Sequence, residues 1–182
     1  QYALPRRMIR WTAGQAQASI GVCNALMEVL RKLGAASEKL HVLRNGVDME
    51  RFRPLDQRAM RAELGLPDPG VLMLSVGNLV KLKGHHLLID ALTRLPEVHL
   101  IIVGDGEERA HLTHRIAERG LGKRVRLVGT VPNAELVRWY SAADVLALAS
   151  SREGWANVLL ESMACGTPVV ATRVGGSSEV IR

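Results

Sequence analysis

Apolar runs of strand length alternate with helical patterns over most of the chain. The predicted strands cover residues 71–76, 98–103, 125–128, 145–148 and 169–171, and the predicted helices cover residues 57–64, 84–95, 107–119, 133–142 with Asn133 as cap, and 157–164. Strands that are apolar on both faces and are separated by helices form parallel sheets covered by helices on two sides. We therefore predict an α/β fold with a Rossmann-like, doubly wound parallel sheet.

The first 70 residues carry shorter patterns. Residues 15–33 have apolar positions at helical spacing, and Gly34 supplies a stop. A short strand is predicted over residues 41–43. Asn45-Gly46-Val47-Asp48 predicts a tight turn, because Asn-Gly tolerates positive φ. The Pro-Asp-Pro-Gly stretch at 67–70 marks a boundary before the sheet.

The composition is that of a packed globule and excludes some other classes. Aromatic residues make up only 3% of the 182 residues, so the core must consist of aliphatic side chains. No window of 18 uninterrupted apolar residues occurs, which excludes a transmembrane helix. Cys23 and Cys165 have no second Cys or His at ligand spacing, which predicts buried free thiols in a reducing compartment. The chain begins at Gln1 and stops just after a strand-and-turn pattern, so we expect it to be truncated at both ends.

Basic residues outnumber acidic ones, giving a net charge of +6, and the surplus lies mainly in the N-terminal third. Aromatic residues are not interleaved with these bases as base stacking would require, which argues against nucleic-acid binding. A solvated basic face, or a weak attraction to an anionic membrane surface, fits better. We expect a cytoplasmic protein that can lie peripherally on the inner face of the membrane.

Five loops follow the predicted strands, at the edge where open parallel sheets bind their ligands. The loops span residues 77–84, 104–107, 129–132, 150–157 and 172–176. The first places Lys81 and Lys83 before a predicted helix, and a cation beside a helix N-terminus suits an anion, with Lys83 the better placed. Since the P-loop spacing is absent, two solvated lysines are the alternative.

The loop with Gly104-Asp105-Gly106 is a weaker signal, because the third glycine of a dinucleotide motif is absent. A tight turn from strand to helix explains these glycines. Close approach of the backbone to a ligand is the alternative.

Two other groups of side chains suggest chemistry that we do not favour. His111 and His114 have a spacing that permits a metal, but an exposed polar helix face is the simpler interpretation, and we predict no metal. Ser150 and Ser151 lack a His partner, which argues against nucleophilic hydrolysis.

Glu153 and Glu161 flank the start of the helix predicted over residues 157–164. A carboxylate near a helix N-terminus stabilises the helix, which could explain Glu153. Glu161 has apolar neighbours, so it faces packed side chains and needs hydrogen-bond donors such as sugar hydroxyls. The pair could be the acid and base of a glycosidase. A doubly wound sheet with a lysine-bearing loop favours a phosphorylated or nucleotide sugar as ligand instead.

Several short motifs occur in a characteristic order. They are Asn45-Gly46-Val47-Asp48 with Phe52 and Pro54; Val76-Gly77-Asn78-Leu79 with Lys83-Gly84; Val103-Gly104-Asp105-Gly106; Gly129-Thr130-Val131-Pro132; Ala143-Asp144; a Glu-x7-Glu segment from Glu153 to Glu161; Ala164-Cys165-Gly166-Thr167-Pro168-Val169-Val170; and Gly175-Gly176 with Glu179. Together they resemble the retaining, nucleotide-sugar-dependent glycosyltransferases of family four (glycosyltransferase group 1), which have the two-domain GT-B fold. The resemblance covers almost the whole chain.

The resemblance implies that residues 55–182 form an incomplete donor-binding domain, and that residues 1–54 are the end of an acceptor-binding domain with the interdomain connection. It implies that Glu161 accepts hydrogen bonds from the ribose hydroxyls, that Glu153 faces the donor sugar, and that Lys83 neutralises the leaving diphosphate. Glu153 and Lys83 would be the catalytic residues. The other donor-binding residues that it implies are Gly77, Asn78, Gly104, Gly106, Val131 beside the base, Gly154, Trp155, Ala156, Asn157 and Val158.

The implied activity is transfer of a sugar from a UDP- or GDP-linked donor to a growing polysaccharide or lipid-linked glycan, with retention of configuration. Retention in this family is usually ascribed to attack on the front face, with the diphosphate helping to take the acceptor proton. Lysine and helix dipoles replace a metal there, so no cofactor is expected. The 182 residues by themselves are expected to be inactive, because most of the acceptor domain lies outside them.

Two positions depart from the family pattern. Asn78 stands where many relatives carry Arg, so one positive charge is missing, and Lys81 or Arg173 would supply it. Ala156 stands where Pro is common, which is a mild change. The alternative function, from another class, is a non-catalytic GT-B-like module that binds a nucleotide sugar or another phosphorylated ligand.

Overall fold

A computed structural model describes residues 3–181, which form two compact units. Unit 1 contains the residues up to Gly46, together with Glu153–Ala156 and the residues from Arg173 onward. Unit 2 contains Val47–Arg152 and Asn157–Thr172. Unit 2 therefore begins eight residues before the predicted domain boundary at 54/55, which remains a prediction for the whole protein.

The described chain contains eight helices and seven strands, and those of unit 2 alternate as the sequence predicts. The helices are α1 (Ala3–Gln15), α2 (Asn24–Lys32), α3 (Gln57–Leu64), α4 (His85–Ala91), α5 (Arg109–Glu118), α6 (Leu136–Ala142), α7 (Asn157–Ala164) and α8 (Ser177–Val180). The strands are β1 (Ser19–Gly21), β2 (Leu40–Val42), β3 (Val71–Val76), β4 (Val98–Val103), β5 (Val125–Gly129), β6 (Val145–Leu148) and β7 (Val169–Ala171). Short 3-10 turns lie at Ser37–Lys39, Lys81–Lys83, Leu92–Arg94 and Asn133–Glu135.

The prediction of one helix over residues 15–33 is wrong. The chain leaves α1 at Gln15, forms β1 and re-enters a helix only at Asn24, because β1 pairs in parallel with β2. Gly21 at the end of β1 makes room for the next helix, since a Cβ there would lie 2.1 Å from the Cε of Met27. Periodicity alone could not separate a three-residue strand from the helix that follows it.

Two local predictions, a tight turn at residues 45–48 and a helix cap at Asn133, are also wrong. The Asn45-Gly46-Val47-Asp48 motif forms no tight turn, and Gly46 does not adopt positive φ. The turn comes at 49–51, where the carboxylate of Asp48 accepts hydrogen bonds from the backbone amides of Glu50 and Arg51. Asn133 does not cap its helix, because its side-chain oxygen accepts a hydrogen bond from Arg51 at 3.1 Å.

Within unit 1, the segment after β7 packs against the short loop that contains Glu153. The amide of Gly176 donates to the carbonyl of Glu153 at 3.3 Å. A Cβ on Gly175 would lie 1.8 Å from that same carbonyl oxygen, so only glycine allows this approach.

The carboxylate of Glu179 in α8 joins three parts of unit 1. It accepts from the side chain of Asn24 at 2.8 Å, from the backbone amide of Ala25 at 3.0 Å and from Arg44 at 2.8 Å. It thereby satisfies a backbone N–H at the N-terminus of α2, where Cys23 provides no side-chain cap. Burial raises the pKa of Glu179, but the hydrogen bonds from these donors outweigh it and lower the pKa to about 2.

The sheet of unit 2 has the order β5-β4-β3-β6-β7 with all strands parallel, which confirms the predicted fold class. The chain builds outward from β3 in one direction, then returns to the other side of β3 with β6. The order therefore reverses between β3 and β6, and such a switch point is where doubly wound sheets form a ligand crevice.

The core of unit 2 is mainly aliphatic, as the low aromatic content predicts, but Phe52, Trp139 and Tyr140 are buried in it as well. One cluster of buried residues joins β4, β5 and the loop after β3 to α4 and α5; its members are Leu79, Ile89, Leu92, Leu100, Ile102, Leu112, Ile116, Leu121 and Val125. Elsewhere in the unit, α3 packs against α6 and α6 contacts β3. Cys23 in unit 1 and Cys165 in unit 2 are both buried free thiols, which confirms that prediction.

A buried arginine attaches α3 to the sheet. Arg61 is 5% exposed and donates to the carboxylate of Asp144 at 2.7 Å and to the carbonyl of Ala142 at 2.9 Å. The same carboxylate accepts from the amide of Leu72, at the start of β3. A buried charge needs such a set of partners, so Asp144 of the Ala-Asp motif is explained by structure alone.

Replacing Glu179 by Gln should destabilise the protein in a pH-dependent way. The folded chain lowers the pKa of Glu179 from 4.5, the ordinary value of a glutamate, to about 2, so its stabilisation is complete above about pH 4.5 and is lost as the pH falls toward 2. We expect Glu179→Gln to cost about 2 kcal/mol at pH 7, after a discount for the half-exposed Arg44 partner, and much less near pH 3. Urea denaturation at both pH values measures this difference.

The matched control is Glu38→Gln, which changes an exposed glutamate of the same unit. We expect that variant to unfold like the parent chain at either pH. Equal destabilisation by Glu179→Gln at pH 7 and pH 3 would contradict the electrostatic account.

Candidate functional site

Three loops at the carboxyl ends of neighbouring strands are joined by backbone hydrogen bonds. The amide of Gly77 after β3 donates to the carbonyl of Val103 at 3.0 Å, and the amide of Gly104 after β4 donates to Gly129 at 2.8 Å. The amide of Leu79 then donates to the carbonyl of Asp105 at 2.9 Å. The loops after β3, β4 and β5 thus form one connected layer along the edge of the sheet.

The glycines of this layer are needed for close backbone packing. A Cβ on Gly104 would lie 2.0 Å from the carbonyl oxygen of Gly77, and one on Gly106 would lie 2.6 Å from that of Leu79. Both glycines also have positive φ. The tight-turn interpretation of Gly104-Asp105-Gly106 therefore accounts for these residues, and their contact with a ligand remains a prediction.

The loops after β3 and β6 meet at the switch point of the sheet. Gly84 approaches the second loop so closely that a Cβ would lie 2.1 Å from the carbonyl oxygen of Ala149. The amide of Ser151 donates to the carbonyl of Leu82 at 2.8 Å. The 3-10 turn that carries Lys83 is therefore held against the segment that leads out of β6.

Lys83 lies in this turn with its aliphatic stem over the β3 loop. A Cβ built on Gly77 would lie 3.7 Å from the Cδ and Cε of Lys83, which is ordinary packing contact. Lys83 is half-buried, whereas Lys81 and Asn78 in the same loop are exposed. Packing of the aliphatic stem restricts the positions that the ammonium group of Lys83 can take, and exposed Lys81 has less such restriction.

His85, which the sequence places at a helix start without indicating a role, packs beneath this loop and contacts it. Its ring is 2% exposed, with Nδ1 3.2 Å from the hydroxyl of Ser75 and Nε2 3.3 Å from the carbonyl of Asn78. Burial lowers the pKa of His85, so the ring is neutral at pH 7. A neutral ring that donates from Nε2 to Asn78 accepts from Ser75 at Nδ1. A histidine directly after Lys-Gly at a helix start was the available signal.

Glu161 lies on α7 and is half-buried, as its apolar neighbours predict. The hydroxyl of Tyr140 donates to its Oε2 at 2.7 Å. Tyr140 is completely buried, and burial followed by the nearby charge of Glu161 raises its pKa, so the hydroxyl stays protonated. The donor that Glu161 needs thus comes in part from a residue that sequence reasoning missed.

The segment Glu153–Ala156 belongs to unit 1. Glu153 is half-buried, Gly154 is exposed and Ala156 is buried. The guanidinium of Arg44 lies 5.9 Å from the centre of the Trp155 ring, at cation–π distance. The ring nitrogen of Trp155 is buried and has no hydrogen-bond acceptor among the residues that the structure describes.

The remaining predicted site residues lie at the expected places in unit 2. Asn157 and Val158 open α7, and Val131 follows β5 and is half-buried. Unit 2 therefore holds Lys83, Glu161 and the loop glycines, while Glu153 lies in unit 1, although the two glutamates are eight positions apart. Their roles toward a donor remain predictions.

The described residues, 3–181, contain no group of three or more His, Cys, Asp or Glu side chains suited to a metal ion. His111 and His114 are exposed on α5, which confirms the predicted polar helix face, and His111 contacts Glu108 at 3.0 Å. Within the same part of the chain, none of the helices has the length and apolar character needed to cross a bilayer.

Residues 56–182 match the family model described as glycosyl transferases group 1. Among curated proteins, the chain is 37% identical over 168 residues to D-inositol 3-phosphate glycosyltransferase 1 of Catenulispora acidiphila, covering 85% of this chain and 40% of that protein. It is 38% identical over 149 residues to D-inositol 3-phosphate glycosyltransferase of Mycolicibacterium gilvum, covering 79% and 34%. The chain thus matches between about a third and two fifths of the length of these relatives.

Solved structures show the same fold. Alr3699/HepE of Anabaena, determined in complex with UDP-glucose, superposes with a TM-score of 0.90 at 30% identity over 98% of this chain and 51% of that one. Sucrose-phosphate synthase of Thermosynechococcus elongatus superposes with a TM-score of 0.88 at 29% identity, over 95% and 45%. These neighbours are glycosyltransferases of the GT-B fold, and the family model covers well over half of the chain. The chain belongs to the glycosyl transferases group 1 family.

Proposed function

We propose that this chain carries the donor-binding part of a retaining glycosyltransferase of family four, a hexosyltransferase-type enzyme with a nucleoside-diphosphate sugar as donor. The observation that carries the proposal is the layer of strand-end loops at the switch point of unit 2, which orders Lys83 through Gly77 and Gly84. A neighbour with this fold was solved with UDP-glucose and with UDP, which supports a uridine-linked donor.

Each end of the donor would meet a different residue. The ammonium group of Lys83 would neutralise charge on the diphosphate, both in the bound donor and as the sugar leaves. The carboxylate of Glu161 would accept from the ribose hydroxyls. Glu153 and the backbone of Gly154–Asn157 would face the sugar, and Val131 would line the base. These are the roles that the Glu-x7-Glu resemblance implies.

Asn78 leaves the diphosphate with one cation fewer than in many relatives. Lys81 is exposed three residues further along the same loop and would supply the missing charge. His85 adds none, because it is neutral at pH 7, and instead holds the Asn78 carbonyl. With Lys83 and Lys81 as the phosphate-binding cations, no metal cofactor is proposed.

The acceptor would be a growing polysaccharide or a lipid-linked glycan. The name of the curated relatives gives D-inositol 3-phosphate as a second candidate. In either case the transfer would keep the anomeric configuration of the donor, with attack from the face of the leaving group and the diphosphate taking the acceptor proton. The 182 residues alone would bind the donor without transferring its sugar.

The first prediction concerns donor binding by the 182-residue chain. Calorimetry should detect weak binding of UDP, and Lys83→Ala should weaken UDP about tenfold while leaving uridine unchanged, because the lysine meets only the diphosphate. Glu161→Ala should weaken UDP and uridine by the same factor of about ten. Lys123→Ala removes an exposed lysine that precedes β5, at the opposite end of the strands, and serves as the control.

If folded protein gives no heat with UDP or GDP, the donor-site assignment fails. Unchanged affinity in both site variants would contradict the proposed roles even if the parent chain binds.

The second prediction concerns the stereochemistry of transfer. A full-length protein that contains this chain should turn an α-linked UDP-sugar into an α-linked product, and NMR of the anomeric proton measures this outcome. The acceptors to compare are D-inositol 3-phosphate and a lipid-linked glycan. A β-linked product would exclude the retaining mechanism, and binding without transfer or donor hydrolysis would favour the non-catalytic module.

Peripheral membrane contact is a separate proposal, and it concerns α1. This helix carries Arg6, Arg7 and Arg10, and its apolar side chains Leu4, Met8 and Trp11 are each more than 60% exposed. Exposed apolar and basic side chains on one helix suit an anionic lipid surface.

Replacing the three arginines of α1 by Gln should weaken binding to vesicles with anionic lipid. Each basic residue near such a surface contributes about 1 kcal/mol, so the loss should be roughly a hundredfold, and vesicle flotation measures it. Substitution of Arg58, Arg94 and Lys123, which are exposed in unit 2, removes the same charge as a control. Equal loss in both variants would show that α1 has no special role.

A further inference from the structure

We propose that Tyr140 is a positioning residue for the nucleoside end of the donor, acting through Glu161. The proposal rests on the proposed function, in which Glu161 binds the ribose hydroxyls. The hydroxyl of Tyr140 donates to the Oε2 of Glu161 at 2.7 Å, and both residues belong to unit 2. Tyr140 lies 21 positions before Glu161 in sequence and has no exposed surface, so it acts on the ligand only through the carboxylate.

The tyrosine is itself fixed on several sides. Its ring packs edge-to-face against Phe52, with ring centres 6.0 Å apart. Its backbone carbonyl accepts from the hydroxyl of Thr167 at 2.7 Å and from the amide of Ala143 at 3.1 Å. The hydroxyl of Ser162, on α7 beside Glu161, donates to the carbonyl of Thr167 at 3.2 Å. These bonds tie α6 to α7, so the Tyr140 hydroxyl has a defined place relative to the carboxylate.

A fixed Tyr140 hydroxyl reduces the conformational entropy that the side chain of Glu161 loses when it binds a ligand. A glutamate side chain has several rotatable bonds, and ordering it during binding opposes association. Tyr140 orders one carboxylate oxygen beforehand. The hydroxyl uses one of about four acceptor positions of the carboxylate, so capacity for two ribose hydroxyls remains.

The contact also has a fixed direction, with the Tyr140 hydroxyl as donor and the Glu161 carboxylate as acceptor. A completely buried tyrosine stays protonated and donates, so its partner must accept, which a carboxylate does best. Ribose hydroxyls are donors as well. Tyr140 and the ribose hydroxyls would therefore both donate to the carboxylate of Glu161, which accepts from Tyr140 at 2.7 Å.

The test compares UDP with 2′,3′-dideoxy-UDP, which lacks both ribose hydroxyls. The measured quantity is the dissociation constant of 2′,3′-dideoxy-UDP divided by that of UDP, obtained by calorimetry on the 182-residue chain. This ratio reports only the contacts to those hydroxyls, and it exceeds one when the hydroxyls contribute to binding. We expect Tyr140→Phe, which removes one oxygen and keeps the ring, to lower this ratio about threefold. Glu161→Ala should bring the ratio close to one.

Thr167→Val is the matched control. It removes a buried hydroxyl from the same junction of α6 and α7 but leaves the contact between Tyr140 and Glu161 intact, and the Tyr140 carbonyl keeps its bond from Ala143. We expect this variant to lose stability and to keep the parent ratio. An equal fall of the ratio in Thr167→Val would mean general loosening and would overturn the proposal.

The outcomes separate this proposal from the donor-site assignment. A ratio near one in the parent chain, or an unchanged ratio in Glu161→Ala, would contradict the binding of ribose hydroxyls by Glu161. It would then also contradict the positioning role of Tyr140. A changed ratio in Glu161→Ala with an unchanged ratio in Tyr140→Phe overturns only the role of Tyr140. If Tyr140→Phe does not fold, Glu161→Asp tests the same contact, because the shorter side chain moves the carboxylate away from the Tyr140 hydroxyl. A ratio in Glu161→Asp equal to that of the parent chain would overturn the proposal.

Discussion

The contact between the backbone of Gly84 and the carbonyl of Ala149 is the constraint on which the candidate site of unit 2 depends. Strands β3 and β6 are neighbours in the sheet but are far apart in sequence, so their following loops must share the space at the switch point. Any side chain at position 84 would push these loops apart, because a Cβ would lie 2.1 Å from the carbonyl oxygen. The turn with Lys83 and the bond from Ser151 to Leu82 both follow from this approach.

Buried polar groups with hydrogen-bond partners hold several elements of unit 2 in place. His85 joins β3 to the loop above it, Tyr140 joins α6 to Glu161, and Arg61 joins α3 to the Ala-Asp motif. Each is buried and has a partner, as the cost of burying an unpaired polar group requires. The aliphatic cluster stabilises unit 2, while His85 holds the backbone of the loop after β3 and Tyr140 holds the carboxylate of Glu161.

Much of unit 2 was predictable because its elements are regular. Strands β3, β4, β6 and β7 have the predicted bounds, since continuous apolar runs between glycine-bearing loops leave little ambiguity. Unit 1 was harder to predict, because β1 is three residues long and its apolar pattern merges with that of α2. The supports of the site were also missed: Tyr140 reads as a core aromatic, and its contact with Glu161 depends on how α6 packs against α7, which sequence spacing does not reveal.

The path of the chain between its two units limits how the Glu-x7-Glu segment can be moved between proteins. The chain passes from one unit to the other at 46/47, 152/153, 156/157 and 172/173. A hybrid that exchanges the whole segment with a relative would therefore join Glu153–Ala156 to foreign partners in unit 1 and Asn157 onward to foreign partners in unit 2. A chimera with a single crossover point cannot keep both the contacts within unit 1 and those within unit 2. The motif is contiguous in sequence, but it cannot be transferred to another protein as an independent segment.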